Sequence, residues 1–138
     1  MIVVDGSALI AILFDAPEKQ MFEDILAGGE RCIMSAVNAH ETACVLSRRN
    51  GQLAITRLWQ LLTDCEIEII PFDKEQMRAG SAAFDSYGKG IDPKARLNLS
   101  DCAAYALAKA MDAPLLFKGD NFSKTDVKSY LSNSAPTP

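Results

Sequence analysis

Four short apolar runs, separated by segments with helical periodicity, constrain the fold of this chain more than any other feature. The first run is rich in β-branched residues and is too short for a helix, which is typical of a strand buried on both faces. Parallel strands need long crossover connections, and these are most often helices. The sequence therefore predicts an α/β fold, a three-layer α/β/α sandwich with a mainly parallel central sheet. The predicted strands are Met1–Val4, Arg31–Met34, Glu66–Ile70 and Pro114–Phe117.

Residues typical of helix ends mark the segments between these strands. Gly6 and Ser7 can turn the backbone and open the first helix, and Ser35 and Ser100 are natural N-caps for later ones. Gly51 is expected to interrupt the long segment that Ser35 begins. The other predicted boundaries are a helix over about Pro17–Ala27 ended by Gly28 and Gly29, a capping box at Asp73 and Gln76, and a poorly ordered stretch at Gly88–Pro93.

The chain has the length of a single domain, 138 residues, and contains no internal repeat or linker. We expect the domain to span residues 1–131 and residues 132–138 to form a disordered tail, because that tail has almost nothing to bury. No apolar run approaches the roughly 18 residues of a membrane span, and the N-terminus lacks the pattern of a signal peptide. These features predict a cytoplasmic protein without a membrane segment.

The net charge and the types of polar side chain limit the reactions and ligands that this chain can support. The net charge of −4 argues against broad electrostatic binding of nucleic acid, which needs a basic face. His40 is the only histidine, so catalysis by two imidazoles is excluded. The four cysteines occur singly, and we expect reduced, mostly buried thiols rather than a disulfide frame or a zinc site. An anionic substrate must therefore be met by a local basic patch or by bound cations.

Four carboxylates fall where open α/β sheets place their ligands. Asp5 ends the first strand, Asp120 follows the fourth, and Asp101 lies in the first turn of a helix for which Ser100 is the expected cap. Glu41 lies two turns into its helix, in an otherwise apolar row. The carboxyl ends of the strands and the N-termini of the following helices share one edge of a doubly wound sheet, so Asp5, Asp101 and Asp120 should lie there and Glu41 could lean over that edge. Taken singly, Asp5 could be only a helix cap and Glu41 only a solvated side chain.

A cluster of this kind needs a neutralising charge. Two carboxylates about 4 Å apart repel each other by roughly 4 kcal/mol at an effective dielectric constant near 20. The cluster therefore persists only if protons or cations neutralise it. Oxygen ligands without histidine or cysteine favour Mg²⁺ or Mn²⁺ over zinc. Such an ion can activate a water for attack on phosphorus, and it would bring an anionic substrate to an acidic protein.

The segments that carry these acids resemble the PIN-domain ribonucleases, and among them the VapC-type toxins of toxin–antitoxin pairs. The resemblance covers Met1 to about Val127 and rests on MIVVDGSAL, SAVNAHETACVL, LNLSDCAAYALAK and PLLFKGDNF in this order. It implies a PIN-like fold and a Mg²⁺- or Mn²⁺-dependent endoribonuclease that hydrolyses phosphodiester bonds in RNA. It also implies a homodimer and a VapB-type antitoxin whose C-terminal segment enters the active-site groove.

The resemblance also assigns roles to individual residues. The acidic quartet that is catalytic and holds the metal would consist of Asp5, Glu41, Asp101 and Asp120. Many relatives carry a second acid directly after the position of Asp120, where this chain has Asn121. Asn121 is therefore a supporting residue, and the number of bound ions stays open.

Further residues support the site or could contact RNA. Ser7 would support the metal site through its hydroxyl, and a role as helix cap is equally compatible with its position. Asp126 could be a further ligand, although a cap of a terminal turn is the favoured interpretation. Trp59 and Phe84 are expected in the core. The basic residues that could guide RNA to the acidic edge are Arg48, Lys89, Lys94, Arg96 and Lys118.

Two other classes of protein are alternatives. A receiver-like phosphoacceptor domain also uses an acidic Mg²⁺ pocket, but it is expected to carry two adjacent acids early in the chain. Asp5 has no acidic neighbour before Asp15, and Glu41 has no role in that scheme. A non-catalytic binding module would carry these carboxylates only as surface charges, and it predicts no gain in stability from metal.

Overall fold

The computed structural model describes residues 1–131, and the predicted tail at 132–138 lies outside them. In this part of the chain four strands form one sheet in the order β3-β2-β1-β4. All three strand pairs are parallel, which confirms the predicted α/β architecture. The strands are β1 (Ile2–Val4), β2 (Cys32–Ser35), β3 (Glu68–Ile70) and β4 (Leu115–Leu116).

Helices cover both faces of the sheet. Successive strand residues point to opposite faces, and accordingly Val4 and Met34 belong to one apolar cluster while Val3 and Ile33 belong to another. The first cluster includes residues of the first three helices, and the second includes residues of the last two. The helices are α1 (Gly6–Leu13), α2 (Lys19–Leu26), α3 (Ala36–Asp64), α4 (Lys74–Tyr87) and α5 (Leu99–Ala110), and a short 3₁₀-helix spans Phe122–Lys124.

Most predicted boundaries shift by one or two residues. The second helix begins at Lys19 rather than Pro17, and β3 begins at Glu68 because Glu66 has a positive φ of 52°. The predicted interruption at Gly51 is confirmed. Its φ of 70° and ψ of −153° are non-helical inside α3, in a region that only glycine enters readily. The chain therefore changes direction within α3.

The N-cap of α5 is Asn98, and the prediction of Ser100 as cap was wrong. The Asn98 side chain accepts a hydrogen bond from the Asp101 amide at 2.8 Å, and the Asp101 carboxylate accepts one from the Asn98 amide at 3.1 Å. This reciprocal pair is a capping box. Asp101 therefore takes part in capping α5 together with Asn98.

The loop after α4 is hydrogen-bonded rather than irregular. The Lys89 amide donates to the Leu97 carbonyl at 2.8 Å, and the Leu97 amide donates to the Tyr87 carbonyl at 2.9 Å. Ala95 and Leu97 are completely buried. Backbone bonds and two apolar anchors thus fix this loop next to the start of α5.

Of the two aromatic side chains that were predicted in the core, one lies at the surface. Trp59 is 51% exposed, so its predicted place in the core was wrong, whereas Phe84 is half-buried and packs against the second cluster. All four cysteines are free; Cys32 and Cys102 are buried, Cys65 is half-buried and Cys44 is exposed.

Among residues 1–131, no helix is long and apolar enough to cross a membrane.

Candidate active site

Asp5 is the most buried carboxylate in the described part of the chain, with 6% of its surface exposed. It follows β1 directly and is the N-cap of α1, where its side chain accepts a hydrogen bond from the Ser7 amide at 3.1 Å. The side chain also accepts a hydrogen bond from the Ser7 hydroxyl. Asp5 is therefore both the cap of α1 and a carboxylate at the edge of the sheet.

The Ser7 hydroxyl joins two loops at this edge. It donates to Asp5 Oδ2 and accepts a hydrogen bond from the Lys118 amide at 3.0 Å. Ser7 is the second residue of α1, so it is not the cap of that helix. The hydroxyl therefore positions the Asp5 carboxylate and ties it to the segment that follows β4.

Glu41 reaches the site because α3 packs closely against both α1 and α5. At Gly6 a Cβ atom would clash with Thr42 Oγ1, so glycine permits the approach of α1 to α3. Asn38 Nδ2 donates to the Ser100 carbonyl at 2.8 Å, which joins α3 to the first turn of α5. Glu41 lies between Asn38 and Thr42 in sequence and is exposed. These contacts bring an exposed carboxylate near two acids from other elements.

The three acids Asp5, Glu41 and Asp101 influence one another electrostatically. Burial raises the pKa of Asp5 from 3.8 to about 6, and the charges of Asp101 and Glu41 add to this effect while hydrogen bonds from Ser7 oppose it. Burial is also the main reason that the pKa of Asp101 is raised, with a smaller contribution from Glu41. Hydrogen bonds from the Asn98 backbone and the Asn121 side chain oppose that rise. Among residues 1–131 no basic side chain is among the groups that lower either pKa, so only protons or an added cation could neutralise this acidic centre.

Asp120, the fourth predicted acid, has different interactions from the other three. It is exposed on the loop after β4, and its carbonyl accepts a hydrogen bond from the Ser123 amide at 3.1 Å. Its charge is not among those that raise the pKa of Asp5 or Asp101. The next residue, Asn121, instead interacts with the Asp101 side chain. The structure thus brings three members of the predicted quartet together and places Asp120 at their margin.

Asp126 is neither a cap nor part of the acidic centre. Its carboxylate accepts hydrogen bonds from the Tyr105 hydroxyl and from Lys109 Nζ, the latter at 3.1 Å. These contacts hold the pKa of Asp126 below its usual value, with Tyr105 contributing most. The predicted cap of a terminal turn was wrong, because both partners belong to α5.

The predicted RNA-contacting residues occupy different environments. Lys89 and Arg96 line one cleft of about 330 Å³ together with Asn98 and Asn121. Lys118 Nζ lies 3.4 Å from a carboxylate oxygen of Glu18. The remaining candidates are exposed, namely Arg48 on α3 and Lys94 in the loop before α5.

The donor set at this edge consists of oxygen ligands. Carboxylates from three elements lie there together with the Ser7 hydroxyl, and Asn38 Oδ1 is buried without a hydrogen-bond partner among the described residues. Oxygen atoms of this kind suit Mg²⁺ or Mn²⁺. Within residues 1–131, however, no three His, Cys, Asp or Glu side chains are grouped tightly enough to hold a metal as they stand. The type of ligand atom therefore suits a hard divalent cation. To bind one, the more exposed carboxylates would have to move closer to Asp5.

Two residues that the sequence interpretation missed hold this site together. Asn98 caps α5 and lines the basic cleft, and Asn38 connects α3 to α5. The Asn-x-x-Asp spacing of Asn98 and Asp101 is a visible signal for a capping box. No local signal marks Asn38, because its partner Ser100 is 62 residues away.

Comparison with known proteins agrees with this geometry. The family model of the PIN domain matches residues 2–128, and the chain therefore belongs to the PIN-domain family. Within that family it is a relative of the VapC ribonucleases. Ribonuclease VapC of Mycolicibacterium smegmatis is 40% identical over 125 residues, which cover 91% of this chain and 96% of the relative.

Solved structures show the same fold at lower sequence identity. Mycobacterium tuberculosis VapC20, described as a sarcin-ricin loop cleaving toxin, matches with a TM-score of 0.73 and 15% identity. The match covers 92% of this chain and 96% of VapC20. A toxin–antitoxin complex from Klebsiella pneumoniae matches with a TM-score of 0.68 and 16% identity, over 91% and 93% of the two chains.

Proposed function

We propose that this chain is an endoribonuclease and the toxin of a toxin–antitoxin pair. The observation that carries the proposal is the buried Asp5 carboxylate at the end of β1, electrostatically coupled to Glu41 and Asp101 in a PIN domain. Buried acids with raised pKa values at the carboxyl edge of a parallel sheet are typical of a reactive site. A relative that is 40% identical over most of both chains is a ribonuclease of the VapC type, which supports the same activity.

The activity would depend on Mg²⁺ or Mn²⁺ held by Asp5, Glu41 and Asp101, with Asp120 reaching in from the loop after β4. The support is the donor set, which offers oxygen ligands and, among the described residues, no basic side chain that neutralises them. Such an ion supplies positive charge for the scissile phosphate and makes a water more acidic when bound.

The chain's own residues have distinct tasks in this scheme. Ser7 fixes the Asp5 carboxylate, and the capping box with Asn98 fixes Asp101. Glu41 is the most exposed of the three acids, so its carboxylate is the group we assign to take a proton from the attacking water. Neither Ser7 nor Asn98 reacts in this scheme, and both act by holding a carboxylate in place.

The partners follow from the same proposal. The substrate would be RNA, and the neutralising partner would be a VapB-type antitoxin, because a solved structure with the same fold is described as a toxin–antitoxin complex. We also propose a homodimer and a cytoplasmic site of action, in line with the resemblance to the VapC-type toxins.

The test is cleavage of total bacterial RNA by the purified, antitoxin-free protein with Mg²⁺ or Mn²⁺ and with EDTA. We expect discrete fragments only with the metal, and none from the Asp5→Asn or Asp101→Asn variants. Asp126→Asn is the matched control, because this carboxylate pairs with Tyr105 and Lys109 away from the acidic centre.

Two results would contradict the proposal. Cleavage that survives both substitutions in the acidic centre would remove these residues from the reaction. Absence of cleavage by a folded, metal-loaded protein, on RNA that includes intact tRNA and ribosomal RNA, would favour a non-catalytic binding module.

A further inference from the structure

The cleft between the loop after α4 and the start of α5 presents mainly hydrogen-bond donors. Its lining residues are Lys89, Arg96, Asn98 and Asn121. Within residues 1–131 both contacts of the Asn98 side chain use its oxygen, which accepts from the Asp101 amide and the Ser100 hydroxyl. Its amide Nδ2 thus remains for a ligand. Two cations and an amide donor around one cleft are suited to an anion.

The two cations of this cleft lack the ion pairs that other basic residues make. In the described part of the chain Arg31, Lys109 and Lys118 each pair with a carboxylate. No such pair forms at Lys89 or Arg96 within residues 1–131, and both side chains are exposed. The cleft therefore carries a local positive charge on a protein whose net charge is negative.

Backbone geometry holds Arg96 in an unusual conformation. Its φ is 54°, which non-glycine residues seldom adopt, and its neighbours Ala95 and Leu97 are completely buried. The Lys89 amide bonds to the Leu97 carbonyl, so the loop brings the two cations to the same place. Strained backbone of this kind is concentrated at functional sites.

The cleft adjoins the acidic centre. Asn121 lines the cleft and interacts with the Asp101 side chain, and Asn98 lines it and forms the capping box with Asp101. Two of the four residues that line the cleft thus also contact Asp101, and the cleft lies directly beside the acidic centre.

We propose that Lys89 and Arg96 form a phosphate-binding subsite that holds a phosphodiester of single-stranded RNA next to the scissile one. This inference rests on the proposed ribonuclease function for the identity of its ligand. The proposal assigns phosphate binding to Lys89 and Arg96. It does not assign this role to Arg48, Lys94 or Lys118, which lie outside the cleft. The subsite provides the local basic patch that an acidic chain needs in order to bind RNA.

The test measures binding of fluorescein-labelled, random-sequence single-stranded RNA by fluorescence anisotropy at several salt concentrations. All proteins carry Asp101→Asn so that RNA is not consumed. The affinity falls as salt rises, and we expect Lys89→Ala and Arg96→Gly each to make the slope of log K against log salt less negative by about 0.7, the effect of one lost phosphate contact. The double variant should bind on the order of tenfold more weakly.

The choice of variants separates binding from folding. Arg96→Gly removes the guanidinium and also relieves the positive φ, so its thermal midpoint should be unchanged or higher. Arg78→Ala is the matched control, because this exposed arginine on α4 lies outside the cleft. The control should leave the salt slope close to that of the parent protein.

An unchanged salt slope in both cleft variants would overturn the subsite. An equal loss in Arg78→Ala would also overturn it, because binding would then depend only on net charge. RNA cleavage by the protein with Asp101 intact is measured in parallel. If that protein cleaves RNA while the cleft variants bind normally, only the subsite fails. If RNA binding depends on Lys89 and Arg96 but no cleavage occurs, the subsite stands and the ribonuclease activity fails.

Discussion

Replacing Asp5 by asparagine should make the metal-free protein more stable at neutral pH. The side chain is buried, and its pKa rises from 3.8 to about 6 on folding. A shift of about 2 pKa units at about 1.4 kcal/mol per unit amounts to about 3 kcal/mol. Asparagine keeps an oxygen that can accept from the Ser7 amide and hydroxyl, so the substitution removes the charge without removing both hydrogen bonds. The figure of about 3 kcal/mol is the upper limit of the gain.

The pH dependence gives this prediction its specific form. Since the pKa of Asp5 is higher in the folded state, that state binds more protons between pH 3.8 and about 6. The free energy of unfolding of the parent protein therefore falls as the pH rises through this range. The asparagine side chain does not titrate, so the advantage of the variant should be near zero below about pH 3 and complete above about pH 7.

Urea unfolding in EDTA at a series of pH values measures this difference. Asp126→Asn is the control of opposite sign, because Tyr105 and Lys109 hold the pKa of that carboxyl below its usual value. That control should lose a little stability at neutral pH, and the loss should be small because the group is exposed. The reasoning is refuted if Asp5→Asn destabilises the protein at neutral pH, or if its effect does not change with pH.

Three further substitutions test how the site and its scaffold are held. Ser7→Ala removes a hydrogen bond that lowers the pKa of Asp5, so the acidic limb of the pH profile for RNA cleavage should move to higher pH. Gly6→Ala should cost about 1–3 kcal/mol in urea unfolding, because the new Cβ clashes with Thr42 Oγ1, and adding Thr42→Ala should recover part of that loss. Gly51→Ala should cost about 1–3 kcal/mol as well, with no change in RNA cleavage, because alanine is strained at a φ of 70°.

The starts of α4 and α5 show which capping residues can be predicted from the sequence and which cannot. Asp73 was expected to begin α4, and its side chain does accept from the Gln76 amide at 2.9 Å. The Gln76 side chain, however, donates to the Pro71 carbonyl, so the reciprocal half of that box is missing. The full box lies at Asn98 and Asp101, where Ser100 was expected to be the cap. A helix start is visible in the sequence, but the choice among adjacent polar residues depends on the backbone angles around them.

The sequence alone determined the layers of the fold and the edge at which the acids gather. Short apolar runs and helical periodicity are local properties, and parallel strands place Asp5 and the start of α5 at one edge. The resemblance added the roles of the acids. None of this needs a distance between residues that are remote in the chain.

Only the tertiary structure decided which side chains act together. Glu41 joins Asp5 because Gly6 lets α1 approach α3, and Asp101 joins them because Asn38 bonds to Ser100 in α5. The raised pKa of Asp5 has the same origin, since burial by packed helices is its main cause. Such effects depend on contacts between segments that are remote in sequence, where a small shift of one helix changes both burial and Coulomb energy.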